Sequence, residues 1–506
     1  MGRRPNPFAA ALMSAIVPGV GQWYAGNGRR ARKYLLITFA LLLPAAFLFM
    51  MVFYVEGIGF AITLSRPFFE HPTLLGLLLA ANAALLMFRA FAVVDAFLLA
   101  RGPAPRHGRT PAVVVAVAMG FLLFLTAVPH GWIGHRNLLL YDLMTTDFNA
   151  DPGQPDVDVT TTTPTGVDTT IPVTTSSTLS NAFPEEGRLN VLLMGGDSGE
   201  GRSGIRTDTM IVVSIDPQTG AAAMFSVSRN MMQTPLPPDQ PYSNWWGETC
   251  PGCYPQALNL IYGDGGTRPD IWGGPNAGAN AAKTTIGYML GIDIHYYVLV
   301  DLNAFITIID AIGGLDIFVR ESVELGVLLD DGWYVESVIE PGWQHLDGTT
   351  ALAYSRTRPD SDFERQNRQR CVLQALAAQT DPATAIREFP ALVPVLQENL
   401  HTDIRMSDVP DFLELLGRFD PSGMVAIRIM PDAPEFAGTE LSYMSGWTDD
   451  GYPIPNREFI TERVALILDA QATTAAPGAG GSEPVDATEL DGLPTITDVC
   501  GPTPEG

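Results

Sequence analysis

Three short apolar runs between Arg188 and Arg229 constrain the fold of this chain more than any other feature. They cover residues 191–194, 210–215 and 222–227. Gly, Asp or a Pro-Gln-Thr-Gly turn bounds each run, which is typical of buried strands joined by turns. We therefore predict three strands of a covered sheet, and in open α/β sheets the loops at strand ends bind ligands.

Charged residues stand at the ends of these predicted strands. Asp197 follows the first run after a Gly-Gly pair, Arg206 and Asp208 precede the second, and Arg229 follows the third. Carboxylates hold a hard divalent cation such as Mg²⁺, and arginines clamp the phosphate oxygens that the cation bridges. The pattern indicates a metal-phosphate site, and the alternative is a solvated loop with ordinary ion pairs.

Downstream, helical and extended patterns alternate. We expect helices at 279–290 and 302–312 and strands at 295–300 and 315–319. This alternation predicts a layered α-β-α domain with a central mixed sheet. Asp301 ends one of these strands, so it either joins the site or caps the helix that follows.

A second cluster of candidate site residues lies between residues 351 and 370. Arg356 and Arg358 are two apart and face the same way in an extended segment. Arg365 and Gln369 are four apart and share one face of a helix, for which Asp362 is a candidate N-cap. The four side chains could converge on a phosphate, or they could form the solvated start of a basic helix.

The segment 231–278 is rich in Pro, Gly, Trp and Asn and has no clear period. We interpret it as a long loop with a short helix around 255–262. Its aromatic residues either line a groove for a sugar or prenyl chain or pack the loop onto the sheet. They are Tyr242, Trp245, Trp246 and Trp272.

Apolar residues are concentrated near the N-terminus, although the whole chain of 506 residues has a mean hydropathy of only +0.14. Three stretches are long and apolar enough to cross a bilayer, which needs about 20 helical residues. They are residues 34–55, 74–100 and 111–129. Residues 8–24 are interrupted by Pro18, Gly19 and Gly21, so this stretch is a re-entrant segment, an interfacial segment or a fourth span.

The basic residues predict the orientation of these spans. Arginines and Lys33 precede the first span, and three arginines lie within 101–110, between the second and third. Because cytoplasmic loops carry the excess of Lys and Arg, we expect the large C-terminal part outside the cell membrane. Arg89 and Asp95, within the second span, have either a structural role or one in handling a lipid or partner.

We therefore predict a multi-pass membrane protein with an extracytoplasmic catalytic domain. Residues 142–187, rich in Thr and Pro, form a linker that acts as a tether or a glycosylated stalk. The later elements are helices at 390–400, 406–419 and 457–470, a last strand at 425–430 and a loop at 431–456. The predicted segments are 1–33 (cytoplasmic or interfacial), 34–141 (transmembrane), 142–187 (linker), 188–470 (catalytic domain) and 471–506 (acidic low-complexity tail).

Composition and cysteine placement narrow the function further. The net charge of −25 argues against nucleic-acid binding, which needs a broad basic surface. All four cysteines lie on the predicted outer side, where disulfides form. Three connectivities are open, and of these we favour Cys250–Cys253 with Cys371–Cys500.

Several motifs resemble the LytR-CpsA-Psr family of cell-wall ligases. They are GGDS, RTDT and SVSRN in the first cluster, then HYYVLVDLNAF, AIGGLDIFV and GWQHLDGTTALAYSRTRPDSDFERQNRQR. The resemblance covers residues 188 to about 434. It implies a phosphotransferase that moves a glycopolymer from a polyprenyl-pyrophosphate carrier to peptidoglycan and releases polyprenyl phosphate at the outer face of the cytoplasmic membrane.

The resemblance also implies roles for individual residues. Asp197 and Asp208 would bind Mg²⁺ or Mn²⁺, and Asp208 is our candidate proton acceptor. The pyrophosphate-binding set would be Arg206, Arg229, Arg356, Arg358, Arg365 and Gln369, with the role of Arg206 less firmly assigned. The catalytic set would be Asp208, Arg229, Arg356 and Arg358, acting through charge stabilisation and in-line positioning.

Two departures from the family pattern keep other functions open. Asn230 replaces an aspartate that commonly follows the arginine, and ALNLIY at 257–262 keeps Asn259 and Tyr262 but lacks a lysine. A lipid pyrophosphate hydrolase and a non-catalytic scaffold for cell-wall assembly are therefore alternatives. A transcriptional regulator fits poorly, because the domain is predicted to lie outside and has no basic DNA-reading helix.

Overall fold

The computed structural model forms two compact units, residues 1–146 and 147–506. The residues that the structure describes are 5–50, 57–101, 111–146, 183–184, 187–197, 205–238, 240–329, 332–359, 362–380, 397, 399–419, 424–430, 442–475 and 496–502.

The first unit is helical. Its helices are α1 (Pro7–Ile16), α2 (Val20–Tyr24), α3 (Gly28–Met50), α4 (Gly57–Glu70), α5 (Thr73–Arg101) and α6 (Ala112–Thr145). Within the described residues, α5 and α6 are the two helices found long and apolar enough to cross a membrane. The third predicted span, 34–55, falls partly on α3 and partly outside the described residues, so it stays a prediction.

The helix that contains the last predicted span extends beyond that span. Pro129 lies inside α6, which continues to Thr145. The helix tolerates this proline and extends past residue 142, where we expected the linker to begin. Nearly all of that linker lies outside the described residues.

Polar side chains connect the short N-terminal helices to α5. The amide of Gln22 donates to the carbonyl oxygen of Ala92 at 2.8 Å, and Arg89 donates to the carbonyl oxygen of Ala15 at 2.7 Å. Asp95 forms an ion pair with Arg30 and accepts a hydrogen bond from Gln22. These contacts support the structural role of Arg89 and Asp95, and their role in handling a lipid or partner stays a prediction.

The second unit is built on a six-stranded sheet in the order β11-β6-β1-β2-β3-β12. The pairs β1–β6 and β3–β12 are parallel, while β1–β2, β2–β3 and β6–β11 are antiparallel, which confirms the mixed sheet. Its strands are β1 (Leu189–Asp197), β2 (Arg206–Ile215), β3 (Ala222–Val227), β6 (Tyr296–Val300), β11 (Leu400–Thr402) and β12 (Val425–Ile429).

Four two-stranded sheets complete the β structure. They pair β4 (Thr234–Pro235) with β5 (Cys253–Tyr254), β7 (Leu315–Val319) with β10 (Gly342–Leu346), β8 (Val323–Leu329) with β9 (Gly332–Ile339), and β13 (Met444–Trp447) with β14 (Pro453–Pro455). The last pair lies in the segment 431–456 that we predicted to be a loop, so that prediction is wrong for residues 444–447 and 453–455. Both strands are only three or four residues long and carry prolines and glycine, which weakens any strand pattern.

Helices cover both faces of the main sheet, which confirms the layered α-β-α prediction. They are α7 (Ile261–Gly266), α8 (Pro269–Trp272), α9 (Ala277–Leu290), α10 (Leu302–Ala311), α11 (Gly348–Arg356), α12 (Asp362–Gln379), α13 (Val409–Leu416), α14 (Arg457–Ala475) and α15 (Ile496–Cys500). All six side chains of β3 are buried, as expected for a strand with a layer on each side.

Alternate residues of each strand enter different hydrophobic cores. Leu192 and Phe225 pack with α9 and α14, whereas Ile211 and Met224 pack with α12 and β7. Because successive side chains of a strand point to opposite faces, these two cores lie on opposite sides of the sheet. Most of the helix predicted at 390–400 lies outside the described residues, and Leu400 begins β11.

Both disulfides favoured from the sequence are present. Cys250 is bonded to Cys253 within the aromatic-rich loop, and Cys371 of α12 is bonded to Cys500 of α15. The second bond attaches the C-terminal helix to the core containing Val372 and Ala375.

Candidate functional site

A pocket of about 340 Å³ opens at the carboxyl end of β1 and β6. Residues of β1, β2 and β6 form one wall, and α10, α11 and α12 form the others. This is the position at which open α/β sheets bind ligands.

The Gly-Gly pair before Asp197 shapes the wall formed by the sheet. The pairing of β1 with β2 shifts between Gly195 and Gly196, which forms a bulge. A Cβ atom on Gly196 would lie 3.2 Å from side-chain atoms of Ile205 and Leu299, so glycine suits this crowded position. The bulge brings β2 to the pocket with Asp208 near its start.

Asp208 is the centre of the polar contacts at this site. Its Oδ1 accepts a hydrogen bond from Nδ2 of Asn259 at 2.8 Å and lies 2.9 Å from Nη1 of Arg229. Its Oδ2 is 4.0 Å from Nη2 of Arg358, and its backbone oxygen accepts from Nη1 of Arg365 at 3.2 Å. Residues distant in sequence thus meet on one carboxylate.

These contacts keep the carboxylate ionised. Burial alone raises the pKa of Asp208, but the hydrogen bond from Asn259 and the charge of Arg229 outweigh it. The pKa therefore lies below its ordinary value. A carboxylate with a lowered pKa is a weak base and a good partner for cations.

The second cluster reaches the same pocket, but through a geometry different from the one predicted. Arg356 is the last residue of α11 and Arg358 follows the C-cap Thr357, so the prediction of an extended segment is wrong. Arg356 and Arg358 nevertheless both line the pocket.

Arg365 and Gln369 line the pocket from one face of α12, as their spacing predicted. Arg365 is only 2% exposed. The amide of Gln369 donates to the carbonyl oxygen of Ser355 at 3.3 Å, which connects α12 to α11. Asp362 begins the helix.

Buried arginines of α12 and β12 fix the position of α12. Arg368 donates to the carbonyl oxygen of Thr357 at 2.6 Å, and Arg370 donates to that of Ala426 in β12 at 3.1 Å. The guanidinium of Arg428 lies 3.4 Å from the centre of the Phe363 ring. Their structural role could not be predicted from the sequence, although the dense Arg/Gln pattern of the segment is apparent there.

The interior of the pocket is apolar. Val298 and Val300 of β6 face Phe305 of α10 and Leu373 and Leu376 of α12 across it. The charged residues that line it are Asp208, Asp301, Arg356, Arg358 and Arg365, and of these Arg358 and Arg365 lie against Asp208. An amphiphilic ligand with an apolar chain and an anionic head matches this division.

Not every predicted residue reaches the pocket. Arg206 is exposed at the start of β2, paired in the ladder with Asp197, and within the described residues it is not part of the pocket wall. The side chain of Asp197 lies outside the described part. Arg229 contacts the site through its ion pair with Asp208. Asp301 lines the pocket and also caps α10, because it accepts a hydrogen bond from the backbone N–H of Ala304 at 2.8 Å.

The donor set limits what can hold a metal. Among the described residues there is no group of three or more His, Cys, Asp or Glu side chains arranged around a metal position. Mg²⁺ needs fewer protein ligands than such a group provides, because one or two carboxylates together with substrate phosphates are enough to bind it. Oδ2 of Asp208, which lies 4.0 Å from Nη2 of Arg358, is a carboxylate oxygen that fits such a role.

Asn259 is a site residue that sequence reasoning did not assign. It was visible in the ALNLIY motif, but its hydrogen bond to Asp208 depends on the loop 231–258 folding back over β2. The backbone N–H of Asn259 donates to the carbonyl oxygen of Arg229 at 3.1 Å, which fixes that return.

Comparison with known proteins identifies one family. The model of the LytR_cpsA_psr family matches residues 159–440. The chain is 26% identical over 234 residues to biofilm regulatory protein A of Streptococcus mutans, covering 45% of this chain and 52% of that protein. It is 28% identical over 238 residues to the polyisoprenyl-teichoic acid–peptidoglycan teichoic acid transferase TagU of Oceanobacillus iheyensis, covering 46% and 65%.

Among solved structures, one match is TagV of Bacillus subtilis. It has 24% sequence identity and a TM-score of 0.41, covering 57% of this chain and 98% of that one. The chain thus matches about half to two thirds of the length of the two curated relatives described above.

Proposed function

Because this chain belongs to the LytR_cpsA_psr family, we propose that it is a membrane-anchored phosphotransferase. It transfers a glycopolymer from a polyprenyl-pyrophosphate carrier to peptidoglycan and releases polyprenyl phosphate. The related TagU protein is named for an equivalent transfer of teichoic acid. For this chain, peptidoglycan as the acceptor and a glycopolymer as the donor are part of what we propose.

One observation carries this proposal: an apolar pocket and a row of arginines share one cavity. The side chains of Val298, Phe305 and Leu376 suit a prenyl chain, and Arg356 and Arg358 suit the pyrophosphate. Since the chain has a net charge of −25, this local positive group is what allows an anionic lipid head to bind.

The reaction is a displacement at phosphorus. A sugar hydroxyl of peptidoglycan forms a bond to the sugar-proximal phosphorus, and the bond from that phosphorus to the bridging oxygen breaks. The bridging oxygen leaves with polyprenyl phosphate, and the hydroxyl proton passes to a base. Arg356, Arg358 and Arg365 stabilise the charge on the transferring and leaving oxygens.

Asp208 acts in this proposal by positioning. Its lowered pKa makes it a poor proton acceptor, and a loose phosphoryl transition state requires little help from a base. Its two oxygens instead orient Arg229 and Asn259 and face Arg358. The hydroxyl proton then goes to a phosphate oxygen or to solvent.

A divalent cation is part of the proposal. Asp208, together with Asp197, would hold Mg²⁺ or Mn²⁺. When bound, the cation neutralises charge on the pyrophosphate oxygens.

Lipid binding by the full chain in detergent micelles tests the proposal. We expect a polyprenyl pyrophosphate to bind more tightly with Mg²⁺ than without it. Arg356→Ala should weaken that binding by about tenfold or more, as expected for loss of a charged hydrogen bond. Arg418→Ala is the matched control, because Arg418 is exposed and forms an ion pair with Glu414.

Equal binding by the wild type and the Arg356→Ala variant would contradict the assignment. Binding that needs no pyrophosphate, shown by an equal affinity for the polyprenol, would do the same.

A further inference from the structure

A second cavity, of about 800 Å³, lies along α9. It is lined by residues of α9, by the loop after β3 and by Arg457, the first residue of α14. Its volume falls within the range of about 300–1,000 Å³ typical of ligand sites. We refer to it as the α9 groove.

The α9 groove is separate from the phosphate pocket. Val298 and Val300 of β6 line the pocket, whereas Tyr297 and Leu299 enter the core that also contains α9 residues such as Ile286. Because alternate residues point to opposite faces of a strand, the two cavities lie on opposite sides of the sheet. The phosphate chemistry therefore does not account for the groove.

Aromatic rings form one wall of the groove. Tyr242 stacks on Trp272 with ring centres 4.2 Å apart and planes inclined by 8°, and both line the groove. Trp272 is 4% exposed, and Trp245 packs edge-on against it at 5.8 Å. Tyr242, which is half-buried, thus presents a ring held at a fixed orientation.

A guanidinium group faces the same space. Nε of Arg457 donates to the carbonyl oxygen of Tyr288 at 2.9 Å, and the guanidinium carbon lies 3.8 Å from the centre of the Tyr288 ring. Within the described residues, its two terminal amines make no hydrogen bond or ion pair. This cation is pre-oriented, and its fork of donors suits a carboxylate or phosphate.

The other charged groups of the groove fix its polarity. Lys283 is neutralised by Asp403 at 2.6 Å and also donates to the carbonyl oxygen of His295. Asp293 is exposed, and its carboxylate is available as an acceptor for hydroxyl groups. The groove thus offers an aromatic face, a directed cation and a hydroxyl acceptor together.

We infer that the α9 groove binds a stretch of glycan whose sugar units carry a carboxylate or phosphate. An aromatic ring packs against the apolar face of a sugar, Arg457 meets its anionic substituent, and Asp293 accepts from its hydroxyls. This inference rests on the proposed function, which supplies two sources of such a glycan. One is the polymer being transferred, and the other is the acceptor peptidoglycan strand.

A site remote from the reacting phosphorus holds the polymer near the enzyme. Binding there raises the effective concentration of a long substrate at the reaction site. Loss of the groove should therefore raise the KM for polymeric substrate while leaving kcat within about twofold. A short donor that cannot reach the groove should react unchanged.

The experiment uses the full chain in detergent micelles and glycans without a lipid carrier. The probes are soluble uncrosslinked peptidoglycan strands, the glycopolymer released from its carrier, and neutral dextran. Calorimetry gives Kd for the wild type, for Arg457→Gln and for Tyr242→Leu. Thr284→Trp, which fills the groove from α9, is a third variant that removes neither recognition group.

We expect at least one anionic glycan to bind and dextran not to bind. Each of the three variants should raise Kd by about tenfold or more, whereas Arg358→Gln, in the phosphate pocket, should not change it. Which of the two glycans binds identifies the source. Circular dichroism and the melting temperature confirm that the variants are folded.

Absence of binding by both anionic glycans would overturn the inference. So would equal binding of dextran, or a Kd that none of the groove variants changes. The proposed function is tested separately, because loss of transfer in Arg358→Gln with a short donor does not involve the groove.

Discussion

Asn259 and Asp208 are joined by a hydrogen bond of 2.8 Å from Nδ2 to Oδ1, the same carboxylate oxygen that Arg229 approaches at 2.9 Å. The bond links the loop after β3 to the start of β2. It also contributes to the lowered pKa of Asp208, which in turn keeps a negative charge among the arginines of the pocket.

Replacing Asn259 should therefore impair the site. In Asn259→Ala the carboxylate loses a donor, so the pKa of Asp208 rises toward its ordinary value and Arg229 loses its alignment. We expect transfer activity to fall by about tenfold. Asn244→Ala, an exposed residue in the same loop, is the control and should leave activity unchanged. Equal activity of the two variants would contradict a role for this hydrogen bond.

The stability of the protein should depend on Asp208 at neutral pH but not in acid. Because the folded-state pKa lies below the ordinary value of 3.8, the ionised group stabilises the fold above that value. This contribution is lost as the pH falls through the folded-state pKa. At pH 7 we expect the free energy of unfolding of the wild type to be about 1–3 kcal/mol higher than that of Asp208→Asn. Denaturant unfolding from pH 7 downward should give a constant difference between the two proteins above pH 3.8 and a shrinking difference below it. A difference that stays constant below pH 3.8 would refute it.

Gly348 allows α11 to approach α10 closely. A Cβ atom there would lie 2.2 Å from the carbonyl oxygen of Ile306, and the N–H of Gly348 donates to Asp310 at 2.7 Å. Gly348→Ala should destabilise the domain by about 1–3 kcal/mol through overpacking and displace Arg356. In Gly446→Ala, where a Cβ meets nothing within 4 Å, the melting temperature should stay within about a degree. Matching melting temperatures of the two variants would contradict this packing.

The apolar part of the pocket should select for chain length. Leu376→Trp fills the space between α12 and β6, so we expect binding of a long prenyl pyrophosphate to weaken by about tenfold or more. A water-soluble pyrophosphate with a short chain should bind as it does to wild type. Val338→Trp, on the exposed face of β9, controls for the added ring. If both ligands weakened equally, the pocket would not hold the prenyl chain.

The two disulfides should differ in their contribution to stability. Cys371–Cys500 closes a separation of 129 residues, and Cys250–Cys253 closes one of 3. Loop-closure entropy predicts losses of about 5 and about 2 kcal/mol on removing each bond. Cys500→Ser should therefore lower the melting temperature more than Cys253→Ser does. The reverse order would show that local strain or contacts, not loop length, decide the effect.

Much of the scaffold could be predicted because its residues follow local rules. The runs at 210–215 and 222–227 are apolar, bounded by turns and buried in the sheet, so their pattern and their environment agree. The strand at 315–319 was placed residue for residue for the same reason.

What escaped prediction depends on contacts between distant segments. The helical state of Arg356 is set by α11 packing on α10, and nothing in the arginine spacing indicates it. The bond from Asn259 to Asp208 spans 51 residues, and the stack of Tyr242 on Trp272 joins two ends of an irregular loop. Such pairings are set by tertiary structure, and periodicity carries no information about them.

The central claim is that the arginine-rimmed pocket transfers a glycan from its lipid carrier, and one reaction tests it most directly. The full chain is incubated with a polyprenyl-pyrophosphate-linked glycan, Mg²⁺ and peptidoglycan, beside Arg356→Ala and the Arg418→Ala control. We expect the wild type and the control each to form one polyprenyl phosphate for every glycan joined to peptidoglycan. We expect neither product from Arg356→Ala. Release of polyprenyl phosphate with free glycan phosphate would instead indicate a hydrolase. Cell-wall assembly that is unaffected by Arg356→Ala would indicate a scaffold.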